Sequence, residues 1–292
     1  MINKIKIISD SACDLPEDYL KEHDITSIPF YIMDNSDSEQ YIVSVDKLYE
    51  EMLSNPNKMY KTACPSPETY FKTFKESTDK KIPVICVSIS KEISGSFNSA
   101  TLARTMILEE NPSAQVAIID STLNSASQGL VVSNIQILRD RGLPFDEIVA
   151  KIEENKHTGK IAFFVDNLNY LEHGGRIGKM KSLVSKLLNI KPLIIMEKGN
   201  IHTGGMAIGI KKSVAKVIET ISNSIKQVGD VIANYRFTVG YGANKAMGES
   251  LKTVFLEQFA LNSAEVAFHQ IGCTTAVHTG PHTYGVGMIK KV

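Results

Sequence analysis

Val84-Ile-Cys-Val-Ser-Ile-Ser-Lys-Glu-Ile-Ser-Gly-Ser-Phe-Asn-Ser-Ala100 passes from an apolar, β-branched run into serines and glycine, and then into a segment able to form a helix. That order sets a strand end against a helix start near Gly95. The first amides of such a helix lack intrahelical partners and sit at the positive end of the aligned peptide dipoles, so carboxylates and phosphates settle there. Ser94 and Ser96 add hydroxyl groups, and Gly95 has no side chain to obstruct the backbone. The same serines also suit a plain N-cap, and this stretch alone leaves both readings open.

Working outward, the alternation repeats. An apolar run at 5–8 precedes a helix opened by Asp14-Leu-Pro16, with Asp14 read as N-cap and Pro16 in the first turn. The run at 82–89 precedes a helix near 95–109, and the run at 115–119 precedes one near 123–139. This βαβα order predicts a mostly parallel sheet with helices on both faces, where ligands gather at the C-terminal strand ends. Ser9-Asp-Ser11, Ser88–Ser96 and Asp120-Ser-Thr122 are expected side by side there, with Asp10 and Asp120 serving either a site or as caps.

A second block starts at Ile161-Ala-Phe-Phe-Val165. The diglycine Gly174-Gly175 ends a short helix and Gly178 restarts one. Runs at 192–196 and 200–203 form a hairpin on Lys198-Gly199. A helix over 211–226, a strand at 237–242, a helix near 246–259 and a strand at 265–269 follow, before a glycine-rich tail. At 292 residues two α/β domains are expected, 1–158 and 159–292.

Composition narrows the function. Lys+Arg and Asp+Glu are equal at 32 each, so no basic excess points to nucleic acid. No signal-peptide pattern opens the chain and no apolar run approaches ~20 residues, so a cytoplasmic protein without stable membrane insertion is expected. Cys13, Cys64, Cys86 and Cys273 are scattered, with no C-x-x-C pair, and read as reduced thiols. Gly174-Gly-Arg-Ile-Gly-Lys-Met180 is one residue short of a phosphate loop and ends in Met. G-x-S-x-G and G-x-G-x-x-G are missing. Gly280 and Pro281 keep His278 and His282 off one helical face, so neither a metal site nor a cofactor is expected. Two segments remain: Lys61-Thr-Ala-Cys-Pro-Ser66, a loop presenting Thr62 while Ser66 caps the next helix, and His278-Thr-Gly-Pro281, read as a turn.

Taken together, Ser9–Pro16, Thr62–Ser66, Ile93-Ser-Gly-Ser-Phe97, Asp120-Ser-Thr122, Leu171-Glu-His-Gly-Gly-Arg-Ile-Gly178 and His278–Pro281 resemble the DegV family of bacterial fatty-acid-binding proteins over almost the full length. The resemblance implies a two-domain α/β fold: an N-terminal, mostly parallel sheet with flanking helices, and a C-terminal α/β domain with a mixed sheet that closes over the ligand. It further implies one long-chain fatty acid held between the domains, whose carboxylate is presented to a separate ATP-dependent kinase for acyl-phosphate formation. Carried onto this chain, Thr62, Ser94, Gly95 and Ser96 would hold the carboxylate, and His278, Thr279 and Gly280 would complete the site from the second domain. Arg176 would be a surface cation near the mouth and a contact for the kinase, or else a solvated arginine in a tight turn. A tail of ~15 methylenes contributes at most roughly 12 kcal/mol at about 0.8 kcal/mol each, so tail burial would dominate affinity.

Two departures stand out. Many relatives carry arginines after the hairpin, where this chain has Met206-Ala-Ile-Gly-Ile-Lys-Lys212, and relatives continue the histidine turn as H-T-G-P-G-A, where this chain has Pro281-His282-Thr283. Both leave the carboxylate ligands in place while changing surroundings that could govern partner docking. The competing readings are an acyl- or phosphoryl-group transferase or hydrolase, with Ser94 as nucleophile and His278 as base, and a module that binds only proteins.

Overall fold

The computed structural model describes residues 4–34, 40–41, 43–177 and 189–292. The expected helix restart at Gly178 lies outside these residues. The chain runs β1 (Lys6–Asp10), α1 (Glu17–Glu22), β2 (Ile25–Ile28), β3 (Tyr31–Asp34), β4 (Gln40–Tyr41), α2 (Val45–Ser54), β5 (Tyr60–Ala63), α3 (Pro67–Thr78), β6 (Val84–Ser88), α4 (Ser96–Glu110), β7 (Val116–Asp120), α5 (Ser125–Asp140) and α6 (Phe145–Asn155). It continues through β8 (Lys160–Phe164), α7 (Asn169–His173), β9 (Ile190–Glu197), β10 (Asn200–Ile208), α8 (Gly209–Gln227), β11 (Tyr235–Tyr241), α9 (Lys245–Phe259), β12 (Val266–Gln270), α10 (Cys273–Thr279) and β13 (Tyr284–Lys290).

The first sheet has the order β2-β1-β6-β7 and is parallel throughout. Ile7, Ile8 and the run from Val84 to Val87 are fully buried, which is why these strands read as continuous apolar runs. Ser88 pairs with Asp120, so the three hydroxyl-and-acid strand ends do lie side by side. A small antiparallel sheet, β4-β3-β5, was not foreseen. It corrects one expectation: Thr62 is not in a loop but on β5, paired with Ile32. Ser66 caps α3 as expected, its hydroxyl accepting from the Thr69 amide at 3.1 Å.

The third sheet is mixed, β10-β9-β8-β13-β11-β12, antiparallel except for β11 with β12. Here the glycine-rich tail is a correction, because it forms β13, inside the sheet between β8 and β11. Close approach explains its glycines. A Cβ on Gly287 would meet the Ser127 hydroxyl of α5 at 1.7 Å, and one on Gly285 would lie 2.4 Å from Phe163 Cβ. The strands alternate between two faces. Phe164, Phe237, Val239 and Val286 pack with Val217, Ile221, Leu251 and Phe255 of α8 and α9. Ile161, Phe163, Ile194, Met196 and Ile289 join Ile85, Val131 and Ile135 in one core that spans the first and third sheets.

Two local readings are corrected as well. Pro16, not Asp14, is the N-cap of α1. Asp14 closes a short 3-10 turn at φ 51° and turns its carboxyl inward. There it accepts from the Ser125 hydroxyl, and burial pushes its pKa up to about 7. His278 and Thr279 lie on α10 rather than in a turn, with Gly280 as the cap at φ 83°. Among the described residues no helix is long and apolar enough to cross a membrane, and no cluster of three His, Cys, Asp or Glu could hold a metal ion.

Candidate functional site

The parallel strand ends build one wall. Asp10, fully buried at the end of β1, accepts from the Ile89 amide at 3.0 Å, the Ser96 hydroxyl at 2.6 Å and Gln128 Nε2 at 2.8 Å. Burial raises its pKa against these three donors and the Ala12 amide. Asp120 accepts from the amides of Thr122 at 2.9 Å and Lys91 at 3.3 Å. Both acids therefore hold loops in shape. Ser96 belongs to the same framework. It is wholly buried, and its hydroxyl also pairs with Tyr70 Oη at 2.6 Å, leaving it off the cavity wall. Gly95 caps α4 without a side-chain bond, and the Ser94 hydroxyl accepts from the Ser96 amide at 3.2 Å.

Beyond this wall a passage opens between the first and third sheets. Its mouth is bounded by Glu92, Ser94, Gly95, Arg176, Asn200 and His202. Ser94, Arg176, Ile93 and Ile201 continue into a neck lined also by Thr62, His278, Phe30, Ile89, Leu171 and Met196. Asn124, Phe163, Thr275 and Thr279 are shared in turn with an inner chamber under Gly240, Gly285 and Gly287. Both parts are narrow. A mainly apolar passage with a few converging polar groups at one end is the usual form of a small-molecule site.

Those polar groups meet in the neck. Thr62 Oγ1 lies 2.9 Å from His278 Nε2. Burial, with repulsion from Arg176 and His173 added, holds His278 down to about 3, so its ring is neutral at pH 7. Its buried Nδ1 has no partner and faces Gly174, where a Cβ would come within 2.1 Å of it. A proton on Nε2 avoids burying an unpaired N–H at Nδ1. Thr62 then accepts, and its own hydroxyl proton is free for a ligand. The diglycine ends α7 as expected, but Gly174 has an ordinary φ of −73°, so the requirement there is space for His278.

Arg176 corrects another expectation. It is no surface cation but half-buried, with Nε donating to the Ile93 carbonyl at 3.0 Å and one terminal nitrogen to the Gly174 carbonyl at 2.6 Å. No carboxylate among the described residues pairs with it. The nucleophile arrangement is not formed: the described hydrogen bonds join His278 to Thr62 and not to Ser94, and no acid orients the ring. Gly280 lies away from the neck, against the Tyr170 ring and a separate surface cleft, while Thr279 lines both neck and chamber. Phe30, Asn124, Phe163 and Thr275 went unnoticed in the sequence because they come from four distant segments with no common motif.

The DegV family model matches residues 4–291. This chain belongs to the DegV family. Among solved structures, a stearic acid-binding protein from Eubacterium ventriosum is 33% identical, with a TM-score of 0.91 and 98% of each chain covered. A DegV family protein from Thermus thermophilus, described for its fatty acid binding, is 23% identical at a TM-score of 0.86 over 98% of this chain and 99% of its own, a likeness of fold. A DegV domain-containing protein of Clostridium acetobutylicum is 30% identical over 99% of this chain and all of its own length.

Proposed function

We propose that this DegV protein is a non-catalytic, cytoplasmic carrier that binds one long-chain fatty acid, carboxylate in the neck and tail in the inner chamber, and presents the carboxylate to a partner kinase. The domain limits 1–158 and 159–292 fit this reading, with the third sheet and α10 closing over the ligand.

One observation carries it: a half-buried guanidinium without a counter-ion among the described residues stands at the outer end of a narrow passage. A carboxylate supplies the missing charge and gains from the Thr62 and Ser94 hydroxyls and the amides at the start of α4. His278 does not move a proton. Neutral and locked by Gly174, it turns the Thr62 hydroxyl toward the ligand. Ser96 and Asp10 hold the Ser94 loop, and Thr279 and Gly280 shape the α10 end. Because the neck opens directly to the mouth, the bound carboxylate is the accessible end, which suits transfer of a phosphoryl group by a second protein.

Purified protein extracted with organic solvent should yield a stoichiometric long-chain acid by lipid mass spectrometry. Delipidated protein that takes up no C14–C18 acid in native mass spectra would overturn the reading.

A further inference from the structure

The inner chamber is unusually rich in hydroxyl groups for the end of a lipid tunnel: Ser125, Ser127, Thr238, Thr275, Thr279 and Thr283 line it. Several of these groups are satisfied within the protein. Thr279 donates to the Thr275 carbonyl at 3.1 Å, Thr283 to the Thr279 carbonyl at 2.9 Å, and Ser125 to Asp14. Thr238 and Thr275 differ. They are 1% and 6% exposed, and neither hydroxyl has a partner.

Local structure explains both. Thr238 sits in mid-strand, on the face of β11 turned to α5, where its methyl Cγ2 meets the position of a Gly287 Cβ, while Phe237 and Val239 face the other core. Thr275, on α10, does not bond back to a carbonyl of the preceding turn, as helical threonines commonly do. The carbonyl four residues earlier, of Ile271, receives the Tyr49 hydroxyl at 2.9 Å. A wholly saturated tail filling the chamber would leave two buried hydroxyls without partners, which costs free energy at each.

We propose that Thr238 and Thr275 form a polar subsite for an oxygen on the distal half of the acyl chain, so that the preferred ligand is a hydroxy or oxo fatty acid rather than a plain saturated one. This rests on the carrier reading above and deepens it. The oxygen accepts from or donates to the two threonines, while chamber walls from Ile161, Phe163 and Ile271 hold the flanking methylenes.

The test compares delipidated protein binding stearic acid and stearic acids hydroxylated at C2, C10, C12 or C18, by competition against a fluorescent fatty acid. At least one distally hydroxylated isomer should bind about five- to tenfold tighter than stearic acid, and the C2 isomer should not. Thr238→Val combined with Thr275→Val keeps the shape, should erase that preference and should leave stearic acid bound at least as well as before. Stearic acid binding as tightly as every hydroxylated isomer to the wild type would overturn the subsite while leaving the carrier reading intact. So would equal effects of the double variant on all ligands. Failure of every acid to bind would overturn both.

Discussion

Substituting Gly240 tests which end of the passage receives the tail. Gly240 lies on β11 at the chamber wall, and a Cβ placed there meets nothing closer than Ile271 Cγ1 at 3.4 Å, an ordinary contact. A leucine there can be started without a clash at its Cβ or backbone strain, and its remaining carbons project from the chamber wall. Its four side-chain carbons displace roughly three methylenes of a chain reaching that depth. At about 0.8 kcal/mol per buried methylene the loss is roughly 2.4 kcal/mol, or on the order of 50-fold in affinity. The penalty should fall on C18 acids, shrink through C16 and be nearly absent for C14, with little change in Tm. Competition binding across that chain-length series reads it directly. Equal weakening for all lengths, or unchanged C18 affinity, would refute the placement of the tail.

Two further outcomes follow from the neck. Arg176→Gln should weaken carboxylate binding about tenfold, the low end for a hydrogen bond to a charged group because the guanidinium is half-exposed, and should leave stearyl alcohol unaffected in the same assay. His278 makes stability fall in acid: its pKa drops from 6.5 to about 3 on folding, so between those values the unfolded chain holds a proton that the fold excludes. The contribution is fully present above pH 6.5 and is lost as pH falls toward 3, amounting to a few kcal/mol. His278→Gln should flatten the decline in Tm between pH 6.5 and 4.5, and an unchanged slope would contradict the buried, neutral ring.

Much of the first sheet was legible because parallel, doubly covered strands are written as unbroken apolar runs, as at Val84–Ser88. The hairpin β9–β10 and the Ser66 cap were legible for local reasons, a turn glycine and a hydroxyl before proline. Elements set by distant partners were not. β5 is four residues long and is a strand only because β3 lies alongside it. β13 carries glycines that argue against a strand until Ser127 and Phe163 supply the reason for them. Arg176 looked exposed because one of its two acceptors is 83 residues away in sequence. Thr62, Ser94 and His278 could be assembled only through the family resemblance, since 216 residues separate Thr62 from the histidine it meets.

The two ends of the passage divide the work of recognition. At the neck one cation stands with a neutral histidine and hydroxyl groups, and the buried acid Asp10 is occupied by donors of its own. A carboxylate bound there, as proposed, would complete a charge balance that the described residues leave open, fixing the ligand's direction while contributing only modestly to its affinity. At the chamber the bore is set by glycines and small hydroxyl residues rather than by large apolar side chains. A glycine wall responds to single substitutions by whole methylenes of depth, and an unpartnered threonine responds to single oxygens on the chain. On the proposed reading, specificity among acyl chains would be decided far from the carboxylate, by residues such as Thr238, Gly240 and Thr275 that lie outside the segments carrying the family resemblance.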